Sequence, residues 1–269
     1  MQAPTETLGE SGLDVNEIGA NSVFSFRPPR VHDTSAEFAA LQRIAGAFVD
    51  QPESMLQELV DAAIELCGAD SAGISLEMPN ATDDRFYHWV ATAGQYSGFL
   101  DAVLPRYPSA CGVCLQRGEP QHFLVGQRFY SIMGIEAPLV TDGLLLPWKV
   151  DGTRGTIFIM AHGRTEAFDL QDCRVMETLA NFAAMGIRQS RQRQLILEQG
   201  KAAAAAAMAN ELAHKINNPL QALSNMLYIA AQGYANETSQ SVGRNALDQV
   251  DKLSLIVKEL LALPYRDHP

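Results

Sequence analysis

From residue 34 onward the chain passes through helical and strand-like patterns in turn. In "SAEFAALQRIAGAFVD", Phe38, Leu41, Ile44, Ala45 and Phe48 recur at helical spacing and predict one amphipathic face. The next run, "ESMLQELVDAAIELCGA", turns Leu56, Leu59, Val60, Ala63, Ile64 and Cys67 inward, with Pro52 near its start and Gly68 as a carboxyl cap. "SAGISLE" and "FYHWVATAG" flank the turn-rich "MPNATDDR" and read as antiparallel neighbours. "GLLLPWKVDGTRGTIFIMAH" predicts a second hairpin around "DGTRG". Strands between flanking helices point to an α+β domain built on one antiparallel sheet.

Outside this core the pattern changes twice. Residues 1–33 are rich in Pro, Ser, Glu and Gly without periodicity, and are expected to form a flexible lead-in. At the other end a helix is predicted to start behind Asp169 as N-cap, with Asp172 in its first turn, and to run to about residue 233. Such a helix spans roughly 95 Å, more than a compact domain buries, so it must pair with another helix. After the loop signal "GYANETSQS", Ala246, Val250, Leu253, Val257 and Leu260 are spaced as an a/d seam. Leu212, Ile216, Pro219, Leu223, Leu227 and Ala230 offer a matching seam on the preceding helix. The expected result is an antiparallel helical hairpin that dimerises into a four-helix bundle, hence a homodimer.

Charge narrows the function. With 31 acidic against 20 basic residues the net charge is −11, which argues against a nucleic-acid partner. The start of the chain has no basic and apolar signal, and no apolar run of spanning length exists, so a cytoplasmic protein without a membrane span is expected. Four cysteines do not make a disulfide scaffold. Cys111 and Cys114 in "CGVC" lack the further ligands of a zinc site, and two thiols on the packed face of a short helix are expected; no metal ligands are predicted.

The chemistry concentrates in "ELAHKINNPLQAL". His214 sits two residues after Leu212, pointing away from the seam into water, and Asn218 lies one turn further on the same face. Pro219 removes a helical hydrogen bond within reach of the histidine. A packing helix has no use for this combination, whereas a helix presenting a nucleophile does. Over residues 205–262 the segment resembles the phosphoacceptor domain of sensor histidine kinases, on the H-x-x-x-N-P-L core. The resemblance implies that His214 accepts a phosphoryl group and passes it to an aspartate in the receiver domain of a response regulator. It also implies that Asn218 helps position the water that dephosphorylates the regulator. Lys215 stands where the family usually has an acidic residue to take the imidazole proton, and nothing in the 269 residues resembles the family's ATP-binding domain. No autonomous kinase activity is therefore expected. ATP would act only through a separate histidine kinase or ATP-binding domain, and this chain is expected to bind no cofactor itself.

Residues 34–190 resemble GAF sensory domains in layout and in phrases such as "RFYHWVATAGQY" and "SACGVCLQRGEPQHF". The resemblance implies a pocket for a small-molecule ligand over one sheet face. The histidine that follows the bilin-attaching cysteine in phytochromes is absent after both Cys111 and Cys114, so no covalent chromophore is expected. The pair invites comparison with GAF domains that reduce free methionine sulfoxide, with only loose agreement. The expected order is a flexible segment (1–33), a GAF-like domain (34–190), a helical linker (191–207), a dimerisation and phosphoacceptor hairpin (208–263) and a tail (264–269). The function that follows is two-component signalling by phosphorelay or regulator binding. The alternative is a dimeric interaction protein with a vestigial histidine.

Overall fold

The computed structural model describes residues 10–231 and, beyond them, residues 241, 243, 245, 246, 248–253, 255 and 256. Two compact units divide at Arg193 and Gln194.

The first unit is built on a seven-stranded, wholly antiparallel sheet in the order β1-β5-β6-β7-β2-β3-β4. Its strands are β1 (Leu13–Glu17), β2 (Ser71–Glu77), β3 (Tyr87–Gly94), β4 (Val103–Leu104), β5 (Gln121–Val125), β6 (Val140–Val150) and β7 (Thr153–Ala161). Both predicted hairpins are present. β6 and β7 close through Asp151 and Gly152, both at positive φ, the backbone that matches the twist of a two-residue hairpin.

Helices α1 (Thr34–Asp50), α2 (Met55–Cys67) and the start of α5 (Leu170–Ala231) cover one sheet face. α2 follows its predicted register and ends at Gly68 in the left-handed conformation. α1 follows its own only in part: Ile44 is buried and Phe48 packs against the core as expected, with Ala40 and Ala47, while Phe38 and Ala45 are exposed and Leu41 only borderline. Small side chains let the backbone of α1 approach its neighbours, and spacing alone favoured the larger residues. The opposite face is covered by α3 (Ala110–Arg117), α4 (Gln127–Met133) and the segment around β4.

Residues 10–33, expected to be a flexible lead-in, belong to the fold. β1 pairs with β5 and sends Leu13 and Val15 into the core on the α3 side. The chain then crosses to the other face, where Phe24 is buried and Arg27 forms a bidentate pair with Asp142, at 2.8 and 3.1 Å. Asp142, fully buried, also accepts from the backbone N–H groups of Ala167 and Phe168 and from His122 Nε2 at 2.5 Å. Burial alone would raise this carboxyl, but the bonds from His122 and Arg27 hold it below the ordinary carboxylate value.

α5 begins as predicted. Asp169 Oδ1 accepts from the N–H groups of Gln171 and Asp172, and Asp172 Oδ2 accepts in return from Asp169 N at 2.9 Å. This reciprocal cap satisfies donors that the helix cannot. Asp169→Ala is expected to cost about 1 kcal/mol of stability, measurable as a lowered urea midpoint at unchanged slope.

Within the second unit, α5 carries a half-buried Leu212 and Ile216 and a buried Pro219. The described residues between 241 and 256 are helical, with Ala246, Gln249, Leu253 and Ile256 half-buried and Val250 exposed. The predicted connecting loop, Val257, Leu260 and the tail lie outside the described residues, as does the side chain of Ala230. Among the described residues, no helix is long and apolar enough to cross a membrane.

Candidate functional site

Between the sheet and its α3/α4 cover lies a cavity of about 210 Å³. Its floor is Leu145, Phe158 and Met160, from the centre of the sheet. Tyr87 and Trp89 of β3 form one wall with Tyr96 and Phe99, whose rings pack against Trp89 at 6.0 and 6.1 Å. Ala110 and Cys111 of α3, Phe129, Tyr130 and Met133 of α4, and Leu13 of β1 also line it.

The backbone decides which side chains reach this space. Ile74 of β2 pairs with Ala91, but the next residue, Ser75, pairs with Trp89, so Val90 is an extra residue in β3. This bulge reverses the alternation. Tyr87 and Trp89 face the cavity, while Ala91 and Ala93 lie on the helix side. α3 is held close to the chain before it: Ser109 caps it by accepting from Gly112 N at 3.1 Å, and a Cβ on Gly112 would stand 2.0 Å from the Arg106 carbonyl oxygen.

Among the described residues, no charged side chain lines the cavity. Tyr96 and Tyr130 hydroxyls lie 2.5 Å apart, each 2.9 Å from the Pro138 carbonyl oxygen. Burial pushes both phenols up, Tyr96 strongly, so they stay protonated. Trp89 Nε1 and the Tyr87 hydroxyl are buried without a hydrogen-bond partner of good geometry. The Tyr87 hydroxyl lies beside Cys111 and Gly112, and its pKa is raised well above the usual phenol value, mainly by burial.

The thiols stay protonated. Cys111 and Cys114 are free and buried on α3, the packed face expected for "CGVC". Burial raises both, outweighing for Cys111 its bonds from Thr156 and Ser75, so little thiolate forms at neutral pH. His32, Asp169 and Asp172 bring ligating atoms within 4.8 Å of one another. Their carboxylates already accept from backbone N–H groups, and Arg30 lies 3.3 Å from Asp172, so the cluster is a helix cap beside a cation.

One histidine is built into the fold: the His122 side chain is 15% exposed and bonded to Asp142. Arg27 and Asp142 are its distant partners, and spacing gives no hint of them. His88 and His162 are half-buried, and His162 Nε2 lies 2.8 Å from Ser71 Oγ. Trp148 packs on the helix side, whereas Trp89 lines the cavity.

In the second unit, His214 and Asn218 are both exposed on α5. Lys215, Asn218 and Pro219 share a shallow recess with Gln249, Lys252, Leu255 and Ile256. Lys215 Nζ pairs with Glu211 at 2.9 Å.

The family description "GAF domain" matches residues 50–188, just over half of the chain. The chain belongs to the GAF domain family. β1, Phe24 and Arg27 precede the matched residues. Solved GAF domains similar to this chain include one from an Acinetobacter phosphoenolpyruvate-protein phosphotransferase, 16% identical, covering 58% of this chain and 95% of that one, with a TM-score of 0.45. The phycoerythrobilin-bound GAF domain of a cyanobacterial phytochrome is 14% identical, covering 60% and 100%, TM-score 0.45. Free methionine-R-sulfoxide reductase from Neisseria meningitidis, in complex with its substrate, is 19% identical, covering 61% and 96%, TM-score 0.45. No curated protein matches the chain.

Proposed function

We propose that this GAF protein is a signalling input and relay. A small molecule in the cavity biases α5, and His214 on that helix accepts and passes on a phosphoryl group. The observation that supports the reading is the exposure of His214 and Asn218 on the same helix that turns Leu212, Ile216 and Pro219 inward. Neutral imidazole is a competent nucleophile near pH 7.

In the proposed step a ring nitrogen attacks the γ-phosphorus of ATP held by a separate kinase. A P–N bond forms, ADP leaves, and the ring proton passes to water. The carboxylate of a receiver-domain aspartate then attacks the phosphorus and displaces imidazole. Glu211 is the one carboxylate within a turn of His214, and it is paired with Lys215, which suits water as the proton acceptor. Asn218 would orient the water that hydrolyses the receiver's acyl phosphate, and a homodimer would pair the helices. The second reading is an interaction protein with a vestigial histidine, favoured by Lys215 at the position after His214.

The test is incubation of the chain with [γ-³²P]ATP, purified histidine kinases and receiver domains. Acid-labile label on the wild type, absent from His214→Ala, is expected. No label, or equal label on His214→Ala, overturns the relay in favour of the interaction protein.

A further inference from the structure

We propose that the cavity takes a neutral, flat, fused bicyclic aromatic carrying one hydrogen-bond acceptor, the chemistry of a quinoline or a coumarin. The inference rests on reading the cavity as the sensory site, and it goes further by naming the class of ligand.

Size comes first. An apolar cavity of about 150 Å³ accommodates benzene. At about 210 Å³ this one has room for a second fused ring, but not for a nucleotide or a tetrapyrrole without rearrangement. The walls then select for an aromatic surface. Trp89 is ringed by Tyr96, Phe99 and Phe158, with centroids 4.9 to 6.1 Å away, a setting that favours edge and offset contacts with another ring.

Charge is excluded by the same walls. Transferring a carboxylate, phosphate or ammonium into a site without a countercharge costs far more than apolar contact returns. Among the described residues the lining supplies no such countercharge. What remains to be matched is polar but neutral. Trp89 Nε1 can only donate, and it is buried without a partner, whereas the Tyr87 hydroxyl, on the same side of β3, already lies beside Cys111 and Gly112. The Tyr96 and Tyr130 hydroxyls are already tied to each other and to Pro138. A ligand acceptor that reaches Trp89 Nε1 therefore gains a hydrogen bond and relieves a buried donor at once.

Calorimetric titration of the full chain at pH 7.5 tests this with six probes. Quinoline and coumarin carry an acceptor. Naphthalene has the same shape without one, and 2-naphthoate adds a charge. Cyclic GMP and methionine represent charged, polar ligands. Quinoline and coumarin are expected to bind about five to ten times more tightly than naphthalene, and the remaining three not at all. Trp89→Phe should bring quinoline and naphthalene to within twofold of each other while the far-ultraviolet circular dichroism stays unchanged. Equal binding of quinoline and naphthalene to the wild type, or a preference that survives both Trp89→Phe and Tyr87→Phe, overturns the acceptor. Binding of 2-naphthoate, cyclic GMP or methionine in preference to quinoline overturns the neutral class and leaves the sensory reading standing. If quinoline binds as expected but leaves His214 labelling unchanged, the class stands and the sensory coupling falls. Failure of every probe overturns the class.

Discussion

Asp142→Ala is expected to lower the stability of the sheet-containing unit by about 3–5 kcal/mol, the usual cost of removing one partner from a buried ion pair. The loss is read from urea unfolding followed by tryptophan fluorescence, since Trp89 and Trp148 both lie in strands of this sheet. The carboxylate gathers Arg27, His122 and the N–H groups of Ala167 and Phe168. Without it a guanidinium that is 10% exposed loses its counterion, and two backbone donors lose their acceptor. The pH dependence has a definite sign. The folded carboxyl has a depressed pKa, so its contribution is fully present above the unfolded value of about 3.9 and is lost as pH falls through the folded value. The gap between wild type and Asp142→Ala should therefore be constant from about pH 5 to 7 and narrow as pH falls below about 4. A gap under 1 kcal/mol at pH 7 would mean that water replaces the carboxylate without cost.

The same cluster explains what could and could not be read from the chain. Features fixed by neighbours in sequence were legible: both hairpins, α2 with its glycine cap, and the aspartate that starts α5. Each rests on contacts a few residues apart. β1 was hidden because five residues amid Ser, Glu and Gly carry little pattern, and its partner β5 lies more than 100 residues away. Arg27 and His122 were hidden for the same reason, since both are placed by Asp142. α1 kept Ile44 and Phe48 on the packed face, but Ala40 and Ala47 take the places expected of Phe38 and Leu41. Of the cavity only its existence over one sheet face was expected. Its composition depends on the extra residue at Val90, a backbone event that sends Trp89 to one side and Ala91 to the other. His214 and Asn218 stood out because their motif breaks a helical pattern, and both are exposed.

Phe158→Ala is the second large effect, and its interest lies in Gly73. The ring is 2% exposed, forms part of the cavity floor and packs 4.9 Å from Trp89, so its removal should cost about 3–5 kcal/mol. A Cβ on Gly73 would stand 2.3 Å from Phe158 Cζ, so β2 has glycine there because the neighbouring ring lies across it. Gly73→Ala alone should therefore destabilise by about 1–3 kcal/mol through overpacking. In a Phe158→Leu background most of that cost should disappear, because the atoms in conflict are gone. The double-mutant cycle should give a coupling of at least about 1 kcal/mol. Additive costs would mean that Gly73 is required by its backbone rather than by the ring. Leucine at 158 also shortens the cavity floor, so the ligand preference should move from bicyclic toward larger aromatics by calorimetry. That second readout separates the two roles of the ring: stability follows its packing against Gly73 and Trp89, and ligand size follows the space it occupies.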